Sequence, residues 1–168
     1  MRSLPFFRPV ILLFALGTFP AVAAEPERAV TPEINKPYVQ SDISKQVERL
    51  ERKDRDIVQK RYEIVAACEL KPGMDVADVG AGTGLISRPL AAKVGPQGKV
   101  YAADISEGFV RHIGETAKTE KLDNLVPVVC TATSANLPRQ SVDLVLVCDT
   151  YHHFEHPRQS MASIFDAL

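Results

Sequence analysis

The chain has 168 residues, of which 45% are hydrophobic and 24% charged, with a formal net charge of -1. That length and balance allow one ordinary globular domain with its own core and exclude a disordered or fibrous chain. Near-neutral charge leaves no basic face for nucleic acid, so a small molecule is the expected partner.

Residues 1–23 have the three parts of a secretory signal peptide. Arg2 and Arg8 supply the positive charge, Val10 to Phe19 form a short apolar run, and Ala21 to Ala23 offer small residues before a cut near Ala24. The run falls short of the roughly 20 apolar residues of a membrane span. The expectation is an exported protein, periplasmic or secreted, with no stable membrane span after cleavage; an uncleaved anchor is the alternative. Residues 24–40 carry Pro26, Pro32 and Pro37 among polar residues, the composition of an irregular arm. From 41 to 70 there is neither proline nor glycine, and Val47, Leu50, Ile57, Ile64 and Val65 recur near the spacing of one helical face. This predicts an N-terminal helical segment, one long helix or two shorter ones, closed by Lys71, Pro72 and Gly73.

From 71 to 168 the period changes. Short Val-rich runs, "MDVADVG", "KVYAAD", "VPVVC" and "SVDLVLVCD", alternate with helical patterns over Leu85 to Val94, Glu107 to Lys121 and Pro157 to Leu168. Such alternation predicts an α/β fold, an open and mainly parallel sheet with helices on both faces. Pro89 cannot donate a hydrogen bond to the carbonyl of Leu85, which predicts a kink or a late helix start. The fourth strand, Val142 to Cys148, would be an apolar edge, and the last helical pattern reaches Leu168 without a cap. The expectation is a domain truncated before its last strands.

Gly80, Gly82 and Gly84 follow the first strand in "DVGAGTG". Glycine there lets the backbone turn with positive φ and lets a ligand approach closely. A nicotinamide fingerprint would need glycine where Leu85 stands, which disfavours an NAD-dependent oxidoreductase. The glycine turn, together with "VYAADIS" about twenty residues later, resembles the class I S-adenosylmethionine-dependent methyltransferases.

The resemblance covers Met74 onward and implies a Rossmann-like sheet in the order 3-2-1-4 with S-adenosylmethionine as cofactor. It places Gly80, Gly82 and Gly84 beneath the cofactor and Asp78 near its amino-acid end. It gives Asp104 the ribose hydroxyls, because an ionised carboxylate accepts from both, and it sets Ile105 against the adenine. Thr133, aligned through Leu137 and Pro138, stands where relatives carry aspartate in an adenine-side motif. Asp149 closes the fourth strand beside the methyl group. His152 and His153 follow as candidates for a base or an acceptor-positioning group. Arg55, Asp56, Arg61 and Tyr62 are either within reach of the site or a solvated face. No metal site is expected, since crowding of His152, His153, Glu155 and His156 on one loop does not make a tetrahedral set.

Three cysteines are too few and too odd in number for a disulfide framework. In the implied strand order Cys130 and Cys148 lie on the order of 14 Å apart, beyond disulfide reach, and are expected as buried free thiols. The implied activity is methyl transfer to an O, N or C nucleophile of a small molecule. The competing expectation is a catalytically impaired or vestigial cofactor-binding protein.

Overall fold

In the computed structural model, which describes residues 28–168, four parallel strands form one sheet in the order β3-β2-β1-β4. The secretory signal expected at 1–23 lies outside the described residues. The strands are β1 (Val76–Val79), β2 (Val100–Asp104), β3 (Leu125–Val129) and β4 (Leu144–Leu146). Crossovers α5 (Ser87–Val94) and α6 (Glu107–Glu120) join the first three, and α7 (Pro157–Ala167) follows β4. Before the sheet stand α1 (Lys36–Val39), α2 (Ile43–Leu50), α3 (Asp56–Gln59) and α4 (Arg61–Ala67).

Alternation along a strand sends successive side chains to opposite faces, and this chain fills both. Val76 of β1, with Val100 and Ala102 of β2, packs under α4, α5 and α6 through Val65, Leu90, Val94 and Ile113. Ala77 and Val79, with Ala103, pack under α7 through Ile164 and Ala167. Leu90, Val94 and Ile113 are essentially sealed from water, and each such side chain stabilises the fold by about 1.5–3 kcal/mol. By the same alternation Asp78 faces the α5 side of β1, and Ser87 at the start of α5 donates a 2.6 Å hydrogen bond to its carboxylate.

Asp75 aligns the sheet's lower end. Its backbone carbonyl accepts from Asp143 N at 2.7 Å, and its carboxylate accepts from Lys99 N at 2.8 Å. Pro127 sits within β3, an edge strand, where a missing N–H costs no ladder bond. β4 forms the other edge and is shorter than the apolar run suggests.

Of the two outcomes expected from Pro89, the late helix start is found. α5 begins at Ser87, so Pro89 falls in the first turn, where amide groups have no intrahelical partner to lose. The stretch 41–70 divides into three helices instead of one or two. The break after Leu50 spans Glu51 to Arg55, a run without an apolar residue to hold it on the core, and Arg52 pairs locally with Asp54 there. Within 28–40 the chain forms a helical turn, α1, and Asn35 is buried.

Candidate cofactor and acceptor site

The glycine turn leaves β1 with φ of 78° at Gly80, 54° at Gly82 and 75° at Gly84. All three lie in the region that L side chains rarely adopt, yet each glycine answers a different neighbour. A Cβ on Gly80 would sit 2.0 Å from Thr150 Cγ2, so Gly80 is the floor on which the β4 loop rests. A Cβ on Gly84 would come within 3.1 Å of Ile113, so that position serves the packing of α6. At Gly82 a Cβ would meet nothing within 4 Å; of the three, only this glycine opens onto free space.

That space is a cleft of about 230 Å³ at the carboxyl ends of the strands. Asp78, Gly80 and Gly82 line it from β1, Asp104 and Ile105 from β2, and Asp149, His152 and His153 from beyond β4. Gly84 and Thr133 do not line it. Thr133 is exposed and bonds to Thr131 in its own loop, while Thr131, Ala132 and Ser134 face the cleft instead. The alignment through Leu137 and Pro138 therefore selects a residue that stands outside the cleft, in a loop whose neighbouring residues line it.

Asp104 is the best-anchored group. Its two carboxylate oxygens accept from Gly82 N and from Ser106 N, each at 2.8 Å. Ser106, not Asp104, caps α6, with its hydroxyl accepting from Phe109 N. One bond per oxygen leaves lone pairs free for two hydroxyl donors. Asp104 is 7% exposed, and burial raises its pKa while the amides of Ser106 and Gly82 hold it down.

Asp78 is 3% exposed. Burial raises its pKa from 3.8 to about 6, opposed by the Ser87 hydroxyl and reinforced by the nearby Asp104 charge. Two carboxylates sealed behind the turn, with no Lys or Arg among the described residues paired to them, make a site prepared for a cation. An open position at Gly82, free lone pairs on Asp104 and an uncompensated acid at Asp78 together fit a positively charged, ribose-bearing cofactor such as S-adenosylmethionine.

The acceptor end is built from loops. Arg55 lines the cleft, donates from Nη1 to Leu50 O at 2.7 Å and approaches Asp149 with Nη2 at 3.4 Å. Asp56, Arg61 and Tyr62 stay outside. Asp149 holds a left-handed φ of 54°, which aims the loop over Gly80. His152 and His153 occupy a single 3₁₀ turn (Tyr151–His153), their ring centroids 4.3 Å apart. His153 Nδ1 is buried without a hydrogen-bond partner among the described residues. Burial, and then the adjacent His152, lowers the His153 pKa, against the pull of Asp149.

The cysteines are free, and they are half-buried instead of fully buried because Cys130 and Cys148 lie in the cleft wall. Burial, followed by the Asp104 charge, pushes the Cys130 thiol up to about 12, which makes it an inert lining group. Asn35 and Tyr38 from the N-terminal stretch also face the cleft. Neither carries a local motif that would announce this in the sequence.

The sheet order, the glycine turn and the acid closing β2 define the Rossmann-like fold of the S-adenosylmethionine-dependent methyltransferase class. The chain belongs to the methyltransferase domain family, whose model matches residues 76–168. It is 33% identical over 105 residues to the ubiquinone/menaquinone biosynthesis C-methyltransferase UbiE of Bordetella parapertussis, a match spanning 62% of this chain and 40% of that protein. The corresponding protein of Burkholderia vietnamiensis is 29% identical over 100 residues, covering 60% of this chain and 41% of its own length. The chain thus spans about two fifths of the curated relatives it matches. Among solved structures, a SAM dependent methyltransferase from Aquifex aeolicus superposes with a TM-score of 0.68 at 28% identity, over 76% of this chain and 68% of that one. Coclaurine N-methyltransferase bound to N-methylheliamine and SAH shares the fold, with a TM-score of 0.67 at 16% identity over 86% of this chain and 46% of that one.

Two substitutions separate packing from cradle. Gly80→Ala forces a methyl into Thr150 at positive φ and is expected to destabilise the protein by roughly 2–4 kcal/mol in urea unfolding. Gly82→Ala is expected to cost only about 1–2 kcal/mol while weakening S-adenosylhomocysteine binding at least about tenfold, measured by calorimetry.

The Asp78 carboxylate gives a pH signature. Its folded pKa, about 6, lies above the ordinary 3.8, so the folded state holds the proton more tightly. The stability it contributes is full below the ordinary value and is lost as pH rises through about 6. Asp78→Asn is therefore expected to stabilise the unliganded protein near neutral pH by on the order of 1–3 kcal/mol. Urea unfolding across pH should show that gain vanishing below about pH 4.

Proposed function

We propose that this protein transfers the methyl group of S-adenosylmethionine to a small-molecule acceptor bound beneath the Tyr151–His153 turn. The observation that carries the reading is the pair of buried carboxylates, Asp78 and Asp104, facing one cleft behind the glycine turn. The cofactor supplies an electrophilic methyl on a sulfonium. Asp104 takes the ribose hydroxyls, Asp78 stands at the cationic end, Ile105 offers an apolar wall to the base, and Gly82 leaves room for close approach.

The two histidines divide the acceptor chemistry. Nδ1 of His153 is sealed and unpartnered among the described residues and the ring lines the cleft, so in this reading Nε2 is the nitrogen offered to the acceptor. A second proton would place an N–H at Nδ1 opposite nothing, a cost of about 1–3 kcal/mol. His153 therefore stays neutral with its proton on Nε2 and donates to the acceptor oxygen. His152, exposed and one ring away, takes the proton that the acceptor loses. The relatives' names assign methylation to carbon, and removing a hydroxyl proton from an aromatic acceptor makes both its oxygen and its ring carbon nucleophilic. Asp149 and its partner Arg55 border the acceptor. We also propose export, on the basis of the charged, apolar and small-residue order of 1–23; the amino terminus of the secreted protein, read by mass spectrometry, should begin near Ala24.

Calorimetry tests the cofactor: S-adenosylhomocysteine is expected to bind and NAD is not, and the reverse result would overturn the proposal. Asp104→Ala should weaken S-adenosylhomocysteine at least about tenfold, since an unpaired ribose loses two charge-assisted bonds. His152→Ala should leave that affinity unchanged and lower S-adenosylhomocysteine release by roughly 100- to 10,000-fold against a panel of phenolic acceptors. His153→Gln, which keeps a donor, should be milder than His153→Ala.

A further inference from the structure

Residues 30–38 run alongside the cleft, which Asn35 and Tyr38 line, and are fastened on both sides of it. On the β4 side, Val30 N donates to Glu155 O at 2.8 Å, and Asn35 Nδ2 donates to His153 O at 3.0 Å and to Glu155 Oε1 at 3.3 Å. On the β2 side, the Ser106 hydroxyl donates to Tyr38 O at 3.2 Å. The Tyr38 ring meets the His153 ring edge-on at 5.1 Å, and the Arg49 guanidinium lies 5.5 Å over the Tyr38 ring. Asn35 is 8% exposed and lines the cleft itself.

These fastenings are mostly polar. Val30 and Val39 remain 65% and 50% exposed, and the Thr31 hydroxyl is buried with no partner among the described residues. A segment with little apolar burial and an unsatisfied group opens at small cost. Yet it borders a cleft through which a cofactor must pass, and it presses on the ring that faces the acceptor.

We propose that residues 30–38 are a strap clasped by Asn35, and that Asn35 is a positioning residue: by holding the His153 loop under Tyr38 it orients the His153 ring and gates cofactor exchange. Opening breaks the Asn35 bonds to His153 and Glu155 and hydrates Nδ1. Closing seals Nδ1 again and leaves only Nε2 for the acceptor. The charged and titratable groups around that ring are His152 and Asp149 on its own loop and Tyr38 from the strap, with Glu155 held through Asn35. The gating part rests on the methyltransferase reading; the positioning part does not.

Three variants test it in the full chain. Asn35→Asp keeps the size, removes both donors and sets a carboxylate against Glu155. Glu155→Gln keeps an acceptor for Asn35 and should change little. In the double variant, Asn35→Asp with Glu155→Gln, the amide introduced at position 155 donates to the carboxylate introduced at position 35. That restores one of the two bonds and should recover part of the loss. Stopped-flow mixing with S-adenosylhomocysteine should show association and dissociation both about three- to tenfold faster in Asn35→Asp, with the affinity moving less than either rate. Amide exchange at Val30 should quicken to a similar extent, and the His153 ring protons should titrate closer to the ordinary histidine value. Unchanged Val30 exchange and an unchanged His153 titration in a folded Asn35→Asp protein would overturn the proposal. If the unaltered protein fails to bind S-adenosylhomocysteine, the methyltransferase reading and the gate fall together, and exchange and titration still decide whether Asn35 positions His153.

Discussion

Asp104 closes β2 and accepts at once from Gly82 in the turn after β1 and from Ser106 at the head of α6, and the rest of the site depends on this one carboxylate. Two backbone turns that belong to different crossovers are thereby held in one geometry, and the open face of Gly82 is fixed relative to the Asp104 carboxylate. The arrangement carries an electrostatic cost, because Asp104 and Asp78 are both buried and neither is paired with a cation among the described residues. Burial of such a charge is tolerated when something else completes the site, and a sulfonium cofactor carries the sign required. The unliganded protein gives up stability at neutral pH so that its ligand can restore it, which ties cofactor affinity to the same desolvation that strains the empty fold.

The sheet was legible in the sequence because its determinants are local. Val-rich runs, intervening helical periods and a glycine turn at the end of β1 each lie within a few residues of the element they specify. Asp104 and Ile105 were legible for the same reason, since both stand at a strand end. The reasons for Gly80 and Gly84 were not. Thr150, which leaves no room for a Cβ at Gly80, and Ile113, which crowds one at Gly84, stand far along the chain and come close only when β4 and α6 pack. Thr133 illustrates the limit of loop alignment: a loop without period gives no face, and the neighbouring Thr131, Ala132 and Ser134 took the inward positions. Arg55 had no periodic signal either, and reached the cleft because the charged run after Leu50 broke the helix and turned back.

The two halves of the site rest on different mechanical supports. Every group assigned to the cofactor stands on a strand end or on the turn and residue next to it, positions fixed by ladder bonds and by a core that excludes water. The groups at the acceptor end, Arg55, Asp149, His152 and His153, stand on a broken helix and a single 3₁₀ turn, fixed by an ion pair, a ring contact and the strap. Substitution among these loop residues can therefore alter that end of the cleft without disturbing the strand-end groups.

That division also explains why His153 depends on a distant segment. A histidine on a three-residue turn has no helix dipole and no second carboxylate to fix its tautomer, so its orientation must come from packing. Tyr38 supplies the wall, and Asn35 supplies the bond that keeps the turn against it. A ring held this way keeps Nδ1 buried, and the donor role proposed for His153 rests on that. The neighbouring His152 is exposed and has no such wall. Two adjacent residues of the same type thus meet different surroundings, one of them packed by a segment more than a hundred residues away in sequence, and the division of roles proposed for them rests on the burial of a single atom.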